Sequence, residues 1–234
     1  MKVDIQNLSW SKEPEEAIAI QRELAGKVIL AGDPSDQNLV AGVDCSSYGN
    51  TGLMVGAVVV MDVAKNVVVD SATSFIEPDM PYIPGLLGFR EIPVLIEAFL
   101  KIETIPGVII CDGQGLAHMR KFGIACHLGL YLDIPTVGCG KTSLVGSYHQ
   151  PDIKQGSTSV LSFKGETVGN VVRTRRGVSP VFVSPGHLAD FKSAVKLVLN
   201  TCTKYRLPEP IRRAHKLSNE TRKELDSDTD VWDK

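Results

Sequence analysis

No run of roughly 18 apolar residues occurs anywhere in the 234-residue chain, which excludes a membrane-spanning helix. Clustered cysteines are also missing. Cys45, Cys111, Cys126, Cys139 and Cys202 are scattered at spacings that match no thiolate metal site, and five is an odd number for a disulfide framework. Reduced thiols and a cytoplasmic location are therefore expected. Met1 to Gln21 is polar and acidic, without the apolar stretch of a secretion leader. There is no internal repeat and no linker-like composition. With 43% hydrophobic and 22% charged residues, the chain reads as one folded domain with a real core rather than a disordered segment. The strong positive charge of many nucleic-acid binders is absent too, since the net charge is −2.

That small total hides an uneven distribution. Residues 1–100 carry 6 Lys/Arg against 14 Asp/Glu, net −8, whereas residues 101–216 carry 16 against 7, net +9. Residues 217–234 return to net −3. A segment at +9 can attract a phosphate backbone while the whole chain stays mildly acidic, although a solvated surface would show the same asymmetry.

Ser11-Lys12-Glu13-Pro14 has the composition of a helix start, and Gly26 of its end. Three β-rich runs follow, 39–44, 53–61 and 66–74, separated by short turns that suit an antiparallel meander. A helix is expected over 89–101, with Ile92, Leu95, Ile96 and Phe99 on one face. Next come a strand at 107–111, a helix at 119–130 and a strand at 134–138. Strands at 159–163, 167–173 and 180–183 follow, then a helix within 186–202. Pro208-Glu209-Pro210 interrupts the chain before a basic final helix. The order implies an α/β domain with a mixed sheet over residues 1–223, and an acidic tail, 224–234, that frays.

Two apolar strands end in an acid: Leu39 to Asp44, and Val108 to Asp112 with Gly113 and Gly115 after it. Sites in α/β folds form at such strand ends. If these strands are neighbours, Asp44 and Asp112 converge, and the helix beginning near Phe89 can add Glu91. Three carboxylates around one point repel one another, and a divalent cation removes that cost. Oxygen-only ligands suit Mg²⁺ or Mn²⁺ rather than Zn²⁺. Taken singly, each acid could equally be a cap or loop residue. His118 and His127 lie nine residues apart, about half a helical revolution out of phase, so they fall on opposite faces of the expected helix. Gly138-Cys139-Gly140-Lys141-Thr142 fails as a phosphate loop, because Pro135 stands where that motif needs its first Gly.

Longer strings carry more. Gly42-Val43-Asp44, Pro81-Tyr82-Ile83-Pro84-Gly85, Phe89-Arg90-Glu91, Asp112-Gly113-Gln114-Gly115-Leu116-Ala117-His118, Phe122-Gly123-Ile124-Ala125, Pro135-Thr136-Val137-Gly138, Lys141, Arg173-Thr174-Arg175, Val183-Ser184-Pro185-Gly186-His187, and Pro208-Glu209-Pro210 with Arg212, Arg213 and His215 occur in this order. Together they resemble the endonuclease V family. The resemblance implies a ribonuclease H-like fold, with a central mixed sheet flanked by helices. It implies an Mg²⁺-dependent enzyme, with Mn²⁺ able to substitute, that cuts inosine-containing DNA, or RNA, at the second phosphodiester bond 3′ to the deaminated base. The products would carry a 3′-hydroxyl and a 5′-phosphate, and the role would be DNA repair by a monomer. Asp44, Glu91 and Asp112 correspond to the metal-binding carboxylates, and Lys141 and His215 to groups beside the catalytic centre. Tyr82, stiffened by Pro81, Ile83 and Pro84, corresponds to a wedge that fills the gap left by an everted base. Backbone around Gly85, Gly113 and Gly138 would read the hypoxanthine edge, with Gln114 and His118 beside the strand.

Two departures from the family pattern stand out. Gln114 replaces the usual His of Asp-Gly-His-Gly, and Gln cannot carry a proton at neutral pH. Ser47, with Tyr48 next to it, replaces the usual aromatic three residues after Asp44. Neither removes a carboxylate, so activity is still expected over the alternatives: a non-catalytic nucleic-acid binding module, or another nuclease of the same fold.

Overall fold

The structure is a computed structural model and describes residues 11–47 and 52–229. Tyr48, and with it the question of a slipped aromatic, lies outside them. The described strands form one eight-stranded sheet in the order β3-β2-β1-β4-β5-β8-β7-β6. β1 (Leu39–Ser47), β2 (Met54–Asp62) and β3 (Val67–Ile76) are the expected antiparallel meander. β4 (Val108–Cys111) and β5 (Thr136–Gly140) continue beside β1 in parallel. β6 (Thr158–Phe163), β7 (Glu166–Val172) and β8 (Val181–Pro185) complete the sheet with antiparallel pairings. The helices are α1 (Pro14–Ala25), α2 (Leu87–Phe99), α3 (Ile124–Leu132), α4 (Phe191–Thr201) and α5 (Glu209–Thr229). This is the mixed α/β sheet expected from the sequence. Among the described residues, no helix is long and apolar enough to cross a membrane.

Strand alternation explains the layering. Ala41, Val43, Ile109 and Cys111 face one way and pack with Ile92, Leu95 and Phe99 of α2 and Leu128 of α3. Val40, Val108 and Ile110 face the other way, with Leu197 of α4 and Ile211 of α5. With helices on both sides, the central strands are apolar throughout, which is why β2 is buried over almost its whole length.

Several boundaries differ from the sequence reading, those of α3 and α5 most of all. The helix expected at 119–130 begins only at Ile124. Lys121 takes a left-handed φ of 54°, and Gly123 is the extended N-cap, so residues 118–123 are a loop. At the other end, α5 continues to Thr229, into the acidic stretch expected to fray.

Candidate active site

β1 and β4 pair in parallel with Val43 opposite Cys111, so the next residues, Asp44 and Asp112, lie side by side where β4 ends, while β1 runs on to Ser47. The Asp112 amide donates to the Val43 carbonyl at 3.4 Å. α2 brings Glu91 over the same end, and α5 brings His215. The four side chains, with Lys141, line a cavity of about 280 Å³.

Gly42 is what lets α5 come so close. A Cβ there would run into the backbone of Pro210 and Ile211, so only glycine allows the first turn of α5 to rest on β1. One turn later, His215 Nδ1 stands 3.1 Å from Asp44 Oδ2. One turn further, the buried hydroxyl of Ser218 donates to the same oxygen at 2.8 Å. On the other acid, Lys141 Nζ donates to Asp112 Oδ2 at 2.5 Å.

The cavity is electrostatically strained. Burial, then repulsion from Asp44 and Asp112, pushes the Glu91 carboxyl up to about 8. Burial also raises Asp44, against the hydrogen bond from Ser218 and with repulsion from Asp112. Cys45, beside them, is held as a thiol by burial and by the Glu91 and Asp44 charges. Among the described residues, no group of three His, Cys, Asp or Glu side chains is already arranged to hold a metal ion. Asp112 is instead turned onto Lys141, and Asp44 onto Ser218 and His215. By donor chemistry, three mutually repelling carboxylates and no thiolate, the cavity fits a hard divalent cation.

A second cavity, of about 300 Å³, shares Asp112, Ile124 and Lys141 with the first. Tyr82, Pro84, Gly85, Gly113, Gln114 and His118 line it, as expected from the sequence. Tyr82 stands at 67% exposure, free of the core. Ile83 anchors its loop against the cluster of Met80, Leu86 and Phe89, whereas Pro81 is exposed. Gly138 does not line the cavity. It lies behind it, where a Cβ would strike the backbone of Gln114 and Gly115. His118 and His127 both line it despite their half-revolution offset, because His118 precedes α3 instead of starting a helix. His127 is buried among the rings of Phe89, Phe122 and Tyr131 and is pushed down to about 3 by desolvation. His118 falls to about 4 through burial and the nearby Arg120 charge.

Gln114 donates from Nε2 to the Thr142 carbonyl at 2.9 Å, tying together the loops that follow β4 and β5. In this chain it serves the pocket wall.

Sequence reasoning missed three residues. The Gly85 carbonyl, at the base of the Tyr82 loop, meets Arg120 Nη2 at 2.6 Å, Gln21 Nε2 at 3.0 Å and His118 Nε2 at 3.1 Å. Gln21 also accepts from Arg120 Nε at 2.5 Å. Its signal was present: with Ala17 and Leu24 it falls on the buried face of α1, where a polar residue needs a reason. Ser218 had a signal as well, one turn after His215.

Residues 22–216 match the family model described as Endonuclease V. Endonuclease V of Dehalococcoides mccartyi is 47% identical over 216 residues, covering 92% of this chain and 97% of that protein. The crystal structure of Endonuclease V from Streptomyces avermitilis superposes with a TM-score of 0.89 at 43% identity, covering 92% of this chain and 96% of that one. The Ciona intestinalis Endonuclease V, solved with a 23mer DNA containing an inosine followed by a ribo-adenosine, gives a TM-score of 0.77 at 29% identity, covering 90% and 97%.

Proposed function

We propose, for a chain that belongs to the endonuclease V family of nucleases, that it recognises inosine in a nucleic-acid strand and hydrolyses the second phosphodiester bond 3′ to it, leaving a 3′-hydroxyl and a 5′-phosphate. It would act as a monomer, in one catalytic domain, in cytoplasmic DNA repair. One observation carries the reading: a cavity of three carboxylates from three separate elements shares a wall with a base-sized pocket under an exposed tyrosine.

The everted base would enter the pocket lined by Gly85, Gly113 and Gln114, and the phenol ring of Tyr82 would stack in the gap it leaves. With His118 depressed to about 4 and His127 to about 3, the pocket's histidines are uncharged at neutral pH and suit a neutral base edge. Asp44, Glu91 and Asp112 would hold Mg²⁺, or Mn²⁺. When bound, the ion supplies Lewis-acid polarisation of the phosphate and an acidified water. Lys141, on releasing Asp112, offsets charge that develops on the scissile phosphate. His215, held by Asp44 at 3.1 Å, is placed to orient water or donate to the departing oxygen.

The test is a nicking assay on end-labelled strands with a single inosine, as single- and double-stranded DNA and as RNA, each with Mg²⁺ or EDTA. The RNA arm is included because the Ciona protein was solved with a ribonucleotide after the inosine. A metal-dependent cut one nucleotide beyond the inosine's own 3′ linkage is expected, and the relative rates assign DNA or RNA. Binding without cutting on every substrate would instead support a non-catalytic module.

A further inference from the structure

A third cavity, of about 900 Å³, opens from the carboxylates along α5 and shares Lys141 and His215 with them. Lys141, Arg206, Arg212, Lys216, Arg222 and Lys223 line it, against a single acid, Glu220. In a chain of net charge −2, six cations around one groove are the exception rather than the background. Positions 212, 216, 219 and 223 recur every three or four residues, so they form one stripe along the helix.

The groove is built, not merely charged. Arg206 donates to the Lys141 carbonyl at 2.6 Å and to Pro180 at 2.7 Å, fixing the groove floor to the loop that carries Lys141. Arg212 is held by Glu209 at 2.9 Å and lies 3.3 Å over the Tyr205 ring. Arg222 reaches the Ser47 carbonyl, at the end of β1, at 3.4 Å. Lys216 meets Glu220 at 3.5 Å, a loose exposed pair that a phosphate can displace.

The three cavities meet at Lys141, with the carboxylates sharing further walls with each of the other two. The base-sized pocket adjoins the carboxylates, and the carboxylates adjoin the basic groove. We infer that the groove seats the 3′ flank of the strand, downstream of the cut. This rests on the reaction proposed above: a strand whose base fills the first cavity, and whose second 3′ linkage lies at the second, continues into the third. The ligand class is a single-stranded polyanion, held by its phosphates without regard to sequence.

The experiment uses the full chain and fluorescein-labelled oligonucleotides bearing one inosine. One strand ends a single nucleotide past the cut position, one extends eight nucleotides further 3′, and one extends eight nucleotides further 5′. Anisotropy in EDTA gives affinity, and nicking with Mg²⁺ gives rate. For the unaltered protein, the 3′ extension should tighten binding by roughly five- to tenfold. In the Lys216→Gln/Lys223→Gln variant that gain should collapse towards unity. The salt dependence on the 3′-extended strand should fall by about 1.4 in slope, at roughly 0.7 for each phosphate that the variant no longer neutralises. The long-chain Gln side chains preserve helix propensity, and circular dichroism checks the fold. An unchanged gain in the variant, or a gain from the 5′ extension alone, overturns the inference. Absence of nicking on any strand fails the reaction instead, while the anisotropy ratios still decide the groove.

Discussion

The carboxylate cavity and the base-sized pocket share Asp112, Ile124 and Lys141, yet they are stabilised in opposite ways. The first gathers like charges, and burial and repulsion raise its Asp44 and Glu91 carboxyls. The second keeps its histidines neutral and fixes its walls with ordinary hydrogen bonds: Gln114 to Thr142, and Gln21 and Arg120 to Gly85. Chemistry is built on repulsion between charges and recognition on hydrogen-bonded walls. Variants in one should therefore change rate, and variants in the other should change choice.

The most damaging test of that division is Asp112→Asn. Cutting should fall by about 10³-fold, since a transition-state charge loses its stabilisation, while inosine-strand affinity stays within a few-fold. An equal loss of both would merge the two regions into one. Metal removal comes next. EDTA should abolish cutting, and Mg²⁺ at many times its Kd should raise the melting temperature, because only the folded cavity gathers the acids. A melting temperature indifferent to Mg²⁺ would separate the acids from any ion.

On the recognition side, Tyr82→Ala should cost roughly 1–3 kcal/mol of stacking, read as about tenfold or more lost discrimination between inosine and adenine strands. The melting temperature should hold, because this ring is mostly exposed. Gln21→Leu should act in the same direction but several-fold more weakly, since Arg120 and His118 still hold Gly85. Kinetics that leave discrimination untouched would reduce Gln21 to a packing residue.

A last effect is on stability. His127 is depressed to about 3 in the folded chain, against roughly 6.5 when unfolded. The unfolded chain therefore binds the extra proton first, and folding weakens as pH falls from about 6.5 towards 3. Between pH 7 and 5 this amounts to about 2 kcal/mol. Glu91, raised to about 8, works the other way, losing stability as pH rises from its unfolded range towards 8. Urea midpoints of wild type and His127→Leu at both pH values isolate the histidine: the variant should lose less on acidification. Parallel losses would remove His127 from the pH response.

Much of this was legible in the sequence, for identifiable reasons. The apolar runs ending at Asp44 and Asp112 betrayed strands that emerge at one sheet edge, and their turn spacing gave the meander. Hidden were features with no local signature. The left-handed Lys121 that delays α3 is a tertiary choice, and it placed His118 in a loop. Gly138 was placed at the pocket by the family resemblance alone, when its close neighbour is the chain's own loop. Gln21 did leave a local trace, a polar residue on the buried face of α1, but it sits far upstream of the motifs and only the fold carries it to Gly85.

The seating of Pro210 on Gly42 also bears on timing. The groups that line the carboxylate cavity come from positions 44, 91, 112, 141 and 215, so the cavity closes only through contacts between segments far apart in the chain, which form late in folding. As synthesis runs from the N-terminus, Asp44 emerges long before the helix that orients it through His215 and Ser218. A nascent or broken chain that has made its sheet but not docked its last helix carries the acids without their partners. On the proposed function, the enzyme would thereby be silent until it is whole, a useful property in a protein whose errors would be cuts.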